Sequence, residues 1–156
     1  DLGSGDGRLI FCASIVGLNC IGVEIDKDLC DLQNSISLST NVKYKVVNSD
    51  SNSIDYSQFN LENTIIFISA LPDSGEILSY SLLNHLKKYY PKLHNVGINL
   101  MGSHTYRQYS RDKSMCGWGK FINDSGLEIV KCLSLPTSWT LDEKKETPYL
   151  FTLFKY

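Results

Sequence analysis

The chain has 156 residues, 42% of them hydrophobic and 21% charged, and a formal net charge of −2 at neutral pH. That is the length of one domain whose core buries about two thirds of the unfolded chain's surface. The slight acidity excludes a protein whose main business is holding nucleic acid by electrostatics, though not one that reaches RNA or DNA through a local patch or a partner subunit.

The opening stretch, Asp1-Leu2-Gly3-Ser4-Gly5-Asp6-Gly7-Arg8, sets glycine at alternate positions behind an acid. Glycine accepts positive φ and lets a ligand approach the backbone closely. Residues 8–17 are nearly all apolar and predict a helix closed by Gly17. The free N–H groups at its start would point back at the turn, which suits a negative or polar ligand group. The dinucleotide fingerprint G-x-G-x-x-G does not fit, because the third glycine comes one position early and Arg8 stands in its place. A phosphate loop would need Gly-Lys-Ser/Thr, which is absent.

Residues 21–25, Ile-Gly-Val-Glu-Ile, predict a short buried strand that ends in acids, with Glu24 placed 17 residues after Gly7. Nucleotide folds place a ribose-binding carboxylate at an offset of roughly 20. One carboxylate can accept from both ribose hydroxyls at once. Asp26 is the expected N-cap of a helix over 27–38, whose apolar face carries Leu29, Leu32 and Ile36. A strand over 43–47 leads into Asn48-Ser49-Asp50-Ser51, a group of turn formers. Residues 51–63 are polar, with room for one short helical turn. The continuous apolar run 64–70 predicts a central parallel strand. Asp73 or Ser74 then caps a helix over 75–90, with Leu78, Leu82, Leu86 and Tyr89 on one face. Residues 96–101 predict a further strand, 102–116 are polar and irregular, and 117–125 a short helix. Residues 127–135 and 148–156 predict two strands around a polar hairpin. Strands and helices in alternation imply an α/β fold, a parallel sheet with helices on both faces.

The five cysteines, Cys12, Cys20, Cys30, Cys116 and Cys132, are odd in number and form no C-x-x-C pair. Neither a disulfide framework nor a zinc site is therefore expected. Cys12 in its apolar helix and Cys132 in its apolar strand read as buried thiols of a reducing, intracellular compartment. No apolar run is long enough to span a membrane, and no segment reads as a signal peptide.

The opening motif resembles motif I of class I S-adenosylmethionine-dependent methyltransferases, an acid followed by x-G-x-G-x-G. The order of elements through the closing antiparallel hairpin is similar to that class over the whole chain. The resemblance implies a Rossmann-like, mostly parallel seven-stranded sheet in a single S-adenosylmethionine-binding domain over residues 1–156. Strand one is expected to lie largely outside this sequence, since the motif's acid is its first residue. The resemblance further implies that Asp1, Gly3, Ser4, Gly5 and Gly7 line the cofactor. Glu24 then holds the ribose, Ile25 packs on adenine, and Asp50, followed by Ser51, accepts from the adenine amino group. For the Asp50 stretch an ordinary turn is the alternative. No metal is expected.

Substrate contacts in such folds gather at the carboxyl ends of the strands, here Ser69-Ala70-Leu71-Pro72-Asp73. Ser69 and Asp73 are the candidate catalytic, substrate-side residues, Ser69 also facing the cofactor. A plain strand-end hydroxyl and a helix cap are their alternatives. Nucleobase amino-methyltransferases carry Asp/Asn/Ser-Pro-Pro-aromatic at this place, a pattern that Ala70, Leu71 and Asp73 break. The phrase Asp-Leu-Gly-Ser-Gly-Asp-Gly-Arg, with Gly22-Val23-Glu24 after it, most resembles the non-SET protein-lysine methyltransferases. These include nucleosomal histone lysine enzymes and mitochondrial ATP-synthase c-subunit lysine enzymes. The histone group's Asn-Phe stretch after the fourth strand is not present here. A protein lysine is thus the favoured methyl acceptor. One rival is RNA or DNA, held by Tyr106, Tyr109 and Trp118 interleaved with Arg107, Arg111, Lys113 and Lys120, since aromatics among basic residues can stack bases and hold phosphates; a solvated loop folded over its own aromatics is the alternative for that segment. The other is a cofactor-binding scaffold without turnover. The oligomeric state stays open.

Overall fold

The computed structural model describes residues 1–70, 72–89, 93, 95–102, 116–136 and 146–154. The chain divides into two units, Asp1–Tyr56 and Ser57–Tyr156.

In the first unit Leu2 meets Val23 through a single parallel bridge. β1 (Ile21–Glu24) pairs in parallel with β2 (Lys45–Asn48), so that Ile21 stands opposite Lys45 and Glu24 opposite Asn48. α1 (Arg8–Ile15) follows the glycine turn, and α2 (Lys27–Thr40) is the crossover that a parallel pair requires. Asp26 caps α2 as expected, its side chain accepting from the N–H groups of Asp28 and Leu29. Asn41, left-handed at φ 58°, closes the helix. A 3₁₀ turn, Tyr56–Gln58, supplies the short helical piece of the polar stretch.

Two expectations change in this unit. In α1 only Ile10 is buried, while Leu9, Cys12, Ile15 and, beyond the helix, Val16 and Leu18 are exposed. Cys12 is therefore not a buried thiol. In α2 the buried residues are Cys30 and Gln33, and Leu32 is exposed. Leu29 and Ile36 of the expected stripe are half-buried, so the covered face includes them but runs through Cys30 and Gln33 in place of Leu32.

In the second unit β3 (Ile65–Ile68) runs parallel to β4 (Gly97–Met101). β6 (Glu146–Phe154) is antiparallel to both β4 and β5 (Leu127–Pro136), and the order across the sheet is β3-β4-β6-β5. The register sets Ile66 beside Ile98 and Ile68 beside Leu100, which in turn stands opposite Leu150. All five are buried, as alternation on a covered sheet face demands. α3 (Pro72–Tyr89) and α4 (Gly119–Ser125) add the buried side chains of Leu82, Leu86, Phe121 and Ile122. β5 is an edge strand, broken by a bulge between Ile129 and Lys131 and bearing exposed charge, which blunts further pairing. Cys132 on it is exposed, contrary to expectation. α3 starts earlier than expected. Pro72, whose fixed φ suits the first helical position, takes that place. Asp73 and Ser74 thus fall inside the first turn and are not caps.

Candidate functional site

Backbone bonds shape the glycine turn first. Gly3 and Ser4 both donate to the Val23 carbonyl at 2.9 and 3.0 Å, Val23 donates to the Asp1 carbonyl at 2.9 Å, and Gly7 to the Ser4 carbonyl at 2.9 Å. Gly3, Gly5 and Gly7 have φ of 71°, 57° and 79°, a left-handed region in which a side chain is strained. The alternate spacing is thus a conformational requirement of the turn. A Cβ at Gly3 or Gly5 would meet nothing within 4 Å, whereas one at Gly7 would stand 2.7 Å from Gln33 Cγ. The turn is open in front of its first two glycines and filled behind its third.

Glu24 at the end of β1 faces this turn. Its Oε2 accepts the Gly5 N–H at 2.7 Å and its Oε1 accepts the Asp26 N–H at 2.9 Å, while the residue is only 7% exposed. Each carboxylate oxygen keeps a second lone pair, so the group can still take two hydroxyls. Asn48, read from sequence only as a turn former, fixes the strand end from β2. Its Nδ2 donates to the carbonyls of Glu24 at 3.0 Å and Ile25 at 2.9 Å. The Ile25 side chain beside them is 68% exposed, a large apolar surface without a cover. Asp1 is half-buried, and its Oδ1 is buried with no partner among the described residues.

Ser4, expected to line a cofactor, has its polar groups committed inside the turn. Its N–H goes to Val23, and its hydroxyl lies 3.1 Å from Nε2 and 3.3 Å from Oε1 of the Gln33 amide. The hydroxyl sits where a Cβ at Gly22 would come within 2.7 Å of it. Asp50 shows the ordinary-turn geometry, its Oδ1 accepting the Asn52 N–H at 2.9 Å and Asn52 Nδ2 at 3.2 Å. Ser51 is buried, and its carbonyl accepts the Tyr56 hydroxyl at 2.7 Å. Burial first, and the Asp50 charge second, push the Tyr56 phenol well above its usual range.

In the second unit Ser69 directly follows β3 and is exposed. Asp73 lies in the first turn of α3, with its side chain outside the described residues. Tyr106, Arg107, Tyr109, Arg111 and Lys113 also lie outside the described residues. Trp118 is corrected from a stacking candidate to a core residue. It is 1% exposed, its indole N–H donates to the Met101 carbonyl at 2.9 Å, and its ring meets Phe121 edge-on at 5.8 Å. Lys120 Nζ stands 5.9 Å from the centre of the Tyr80 ring.

No protein-family model matches the chain, and no curated protein sequence matches it. Solved structures match it in fold. A magnesium protoporphyrin IX methyltransferase from Synechocystis with S-adenosylmethionine bound superposes with a TM-score of 0.67 at 12% identity, over 99% of this chain and 68% of that one. A tRNA (uracil-54, C5)-methyltransferase from Pyrococcus abyssi in complex with S-adenosyl-L-homocysteine gives 0.66 at 12% identity, over 97% of this chain and 32% of that one. An S-adenosylmethionine-dependent methyltransferase from Methanosarcina mazei gives 0.66 at 12% identity, over 99% and 92%. The fold is thus an α/β, Rossmann-like one, that of S-adenosylmethionine-dependent methyltransferases. Among the described residues no helix is long and apolar enough to cross a membrane.

Proposed function

We propose that this chain is an S-adenosylmethionine-dependent methyltransferase whose first unit carries the cofactor residues. The observation that carries the reading is the Glu24 carboxylate, oriented by Gly5 and Asp26 while each oxygen keeps a free lone pair. Three further features suit this cofactor. The space before Gly3 and Gly5 admits a ligand against the backbone. The exposed Ile25 offers an apolar surface for adenine. The Asp1 Oδ1, without a partner among the described residues, is an acceptor fit for an ammonium group. Nicotinamide dinucleotides suit the turn less well, because Asp6, Gly7 and Arg8 interrupt their glycine spacing.

The cofactor, when bound, would supply an electrophilic methyl group on a sulfonium centre, with the neutral thioether as the leaving group. Glu24 binds the ribose hydroxyls and fixes the ligand's rotation about its long axis. The glycine turn and Asp1 hold the amino-acid end. Catalysis of this kind rests on positioning and on excluding water more than on a dedicated base. Ser69 and Asp73, which follow β3, are the proposed substrate-side contacts.

For the acceptor we favour a protein lysine, on the motif resemblance of Asp1–Arg8 with Gly22–Glu24 and on the broken Pro-Pro-aromatic pattern after Ser69. The burial of Trp118 takes one stacking group from the RNA or DNA rival; the similarity to a tRNA methyltransferase favours that rival. None of the five cysteines is in a disulfide, which suits a reducing intracellular compartment. Titration calorimetry with S-adenosylhomocysteine, NAD and ATP tests the cofactor, and preferential NAD binding would overturn it. Labelled methyl transfer into fractionated lysate tests the acceptor. Label that survives nuclease on a protein band supports lysine, and label lost with RNA supports the rival.

A further inference from the structure

The strongest unassigned feature is a glutamine in the middle of α2. Gln33 is 0% exposed, a rare place for a side chain that carries two donors and an acceptor. Its Nε2 donates to the Gly5 carbonyl at 2.7 Å and to Ser4 Oγ at 3.1 Å, and the Ser4 hydroxyl lies 3.3 Å from its Oε1. A carbonyl can only accept, so the nitrogen side of the amide must face Gly5. The N–H of that same glycine goes to Glu24 at 2.7 Å. Gly5 is therefore held at both of its backbone groups, N–H by the last residue of β1 and C=O by α2. Gly7 completes the fit, because its missing Cβ leaves the room that Gln33 Cγ fills. The third glycine of the motif serves the glutamine behind the turn, while the first two serve the open side.

We propose that Gln33 is a positioning residue of the cofactor site, a role that rests on the methyltransferase reading. Its amide fixes the Gly5 peptide in the left-handed conformation that keeps the turn open, and through Gly5 it holds the Glu24 carboxylate in place. Without the amide, the Gly5 carbonyl and the Ser4 hydroxyl lose their partner. The backbone angles of Gly5 are then no longer fixed from its carbonyl side, and the N–H that it gives to Glu24 Oε2 is held less firmly. The cofactor must restore that order on binding, and its affinity falls by the cost.

The test uses Gln33→Met, which keeps length and volume but removes the amide, and Gln33→Asn, which keeps an amide too short to reach Gly5. Tyr44→Phe is the control. The Tyr44 hydroxyl donates to the Gln33 backbone carbonyl at 2.7 Å, so its loss loosens α2 without touching the amide. S-adenosylhomocysteine affinity is measured by calorimetry well below each variant's melting temperature, beside a thermal melt. Wild type should bind. Gln33→Met and Gln33→Asn should each weaken binding about tenfold, or ~1.4 kcal/mol, while Tyr44→Phe lowers the melting temperature with Kd within about twofold of wild type. If one glutamine variant fails to fold, the other decides. A folded glutamine variant with wild-type Kd overturns the proposal and leaves the cofactor reading intact, as does equal weakening in Tyr44→Phe. A wild type that does not bind S-adenosylhomocysteine overturns both.

Discussion

Replacing Glu24 by glutamine probes a group that the scaffold uses and that the proposed cofactor would share. Two backbone N–H groups, of Gly5 and Asp26, now depend on the carboxylate. Glutamine keeps one oxygen, so one N–H stays paired and the other faces an NH₂ group. A donor left unpaired at a largely buried site costs about 1–3 kcal/mol, and a chain of this size loses roughly 2–4 °C of melting temperature per kcal/mol. A fall of several degrees is therefore expected even without ligand. The ligand effect is separate. A hydrogen bond to a charged group contributes about 1.5–3 kcal/mol and a neutral one about 0.5–1.5. Two ribose hydroxyls then lose about 2 kcal/mol together, or roughly thirtyfold in Kd. Calorimetry on wild type and Glu24→Gln with S-adenosylhomocysteine and its 2′-deoxy analogue forms a double cycle. The analogue should bind wild type more weakly and lose less on mutation. If S-adenosylhomocysteine affinity holds within twofold while the melting temperature drops, Glu24 is scaffold alone. If both ligands lose equally, the mutation acts through the turn and not through the ribose.

Asp26→Ala removes the acceptor for the Asp28 and Leu29 N–H groups, costing about 1 kcal/mol in a thermal or urea melt. Because Glu24 binds the backbone of Asp26 and not its side chain, S-adenosylhomocysteine affinity should stay within about twofold. Asn99 is 0% exposed in β4, and neither its Nδ2 nor its Oδ1 has a partner among the described residues. Asn99→Leu should raise stability by about 1 kcal/mol, because a similar apolar shape removes an uncompensated desolvation penalty. A lowered melting temperature would show that the amide is satisfied after all.

The elements that read well from sequence are those whose cause is local. The left-handed φ at Gly3, Gly5 and Gly7 is a property that glycine alone supplies cheaply, so the alternate spacing announced the turn. Asp26 before a helical run is a cap by its own side chain's reach. The closing strands carried their own β-rich runs: β5 came within one residue of expectation at each end, and β6 begins two residues earlier than expected. Features with a distant cause were misread. Trp118 among basic residues looked like a nucleic-acid surface, yet its burial and its bond to Met101 are made by segments 17 residues apart. Leu32 looked like core because hydrophobic spacing ranks residues by side chain alone. Gln33 was passed over for the same reason. It stands at helical spacing from Leu29, Cys30 and Ile36, but a polar side chain on that stripe carries no apolar signal of its own. Its partner is the turn 28 residues earlier.

The spacing between Gly7 and Glu24 has its physical meaning in the register of β1. Val23 is the residue that bridges to Leu2, and its carbonyl takes the N–H groups of both Gly3 and Ser4. The next residue along β1 is therefore carried past the bend of the turn, level with the first N–H beyond it, which is that of Gly5. Side chains alternate along a strand, so a slip of one residue would turn the position-24 side chain to the other face and bring that of Ile25 or Val23 to the turn instead. The intervening residues matter less. α1 and the return segment from Gly17 to Cys20 could change in length without moving Glu24, provided that Val23 still meets Leu2. The offset of 17 residues is thus the length of one short helix and its return, and the bridge of Leu2 to Val23 is what delivers the acid to the glycines.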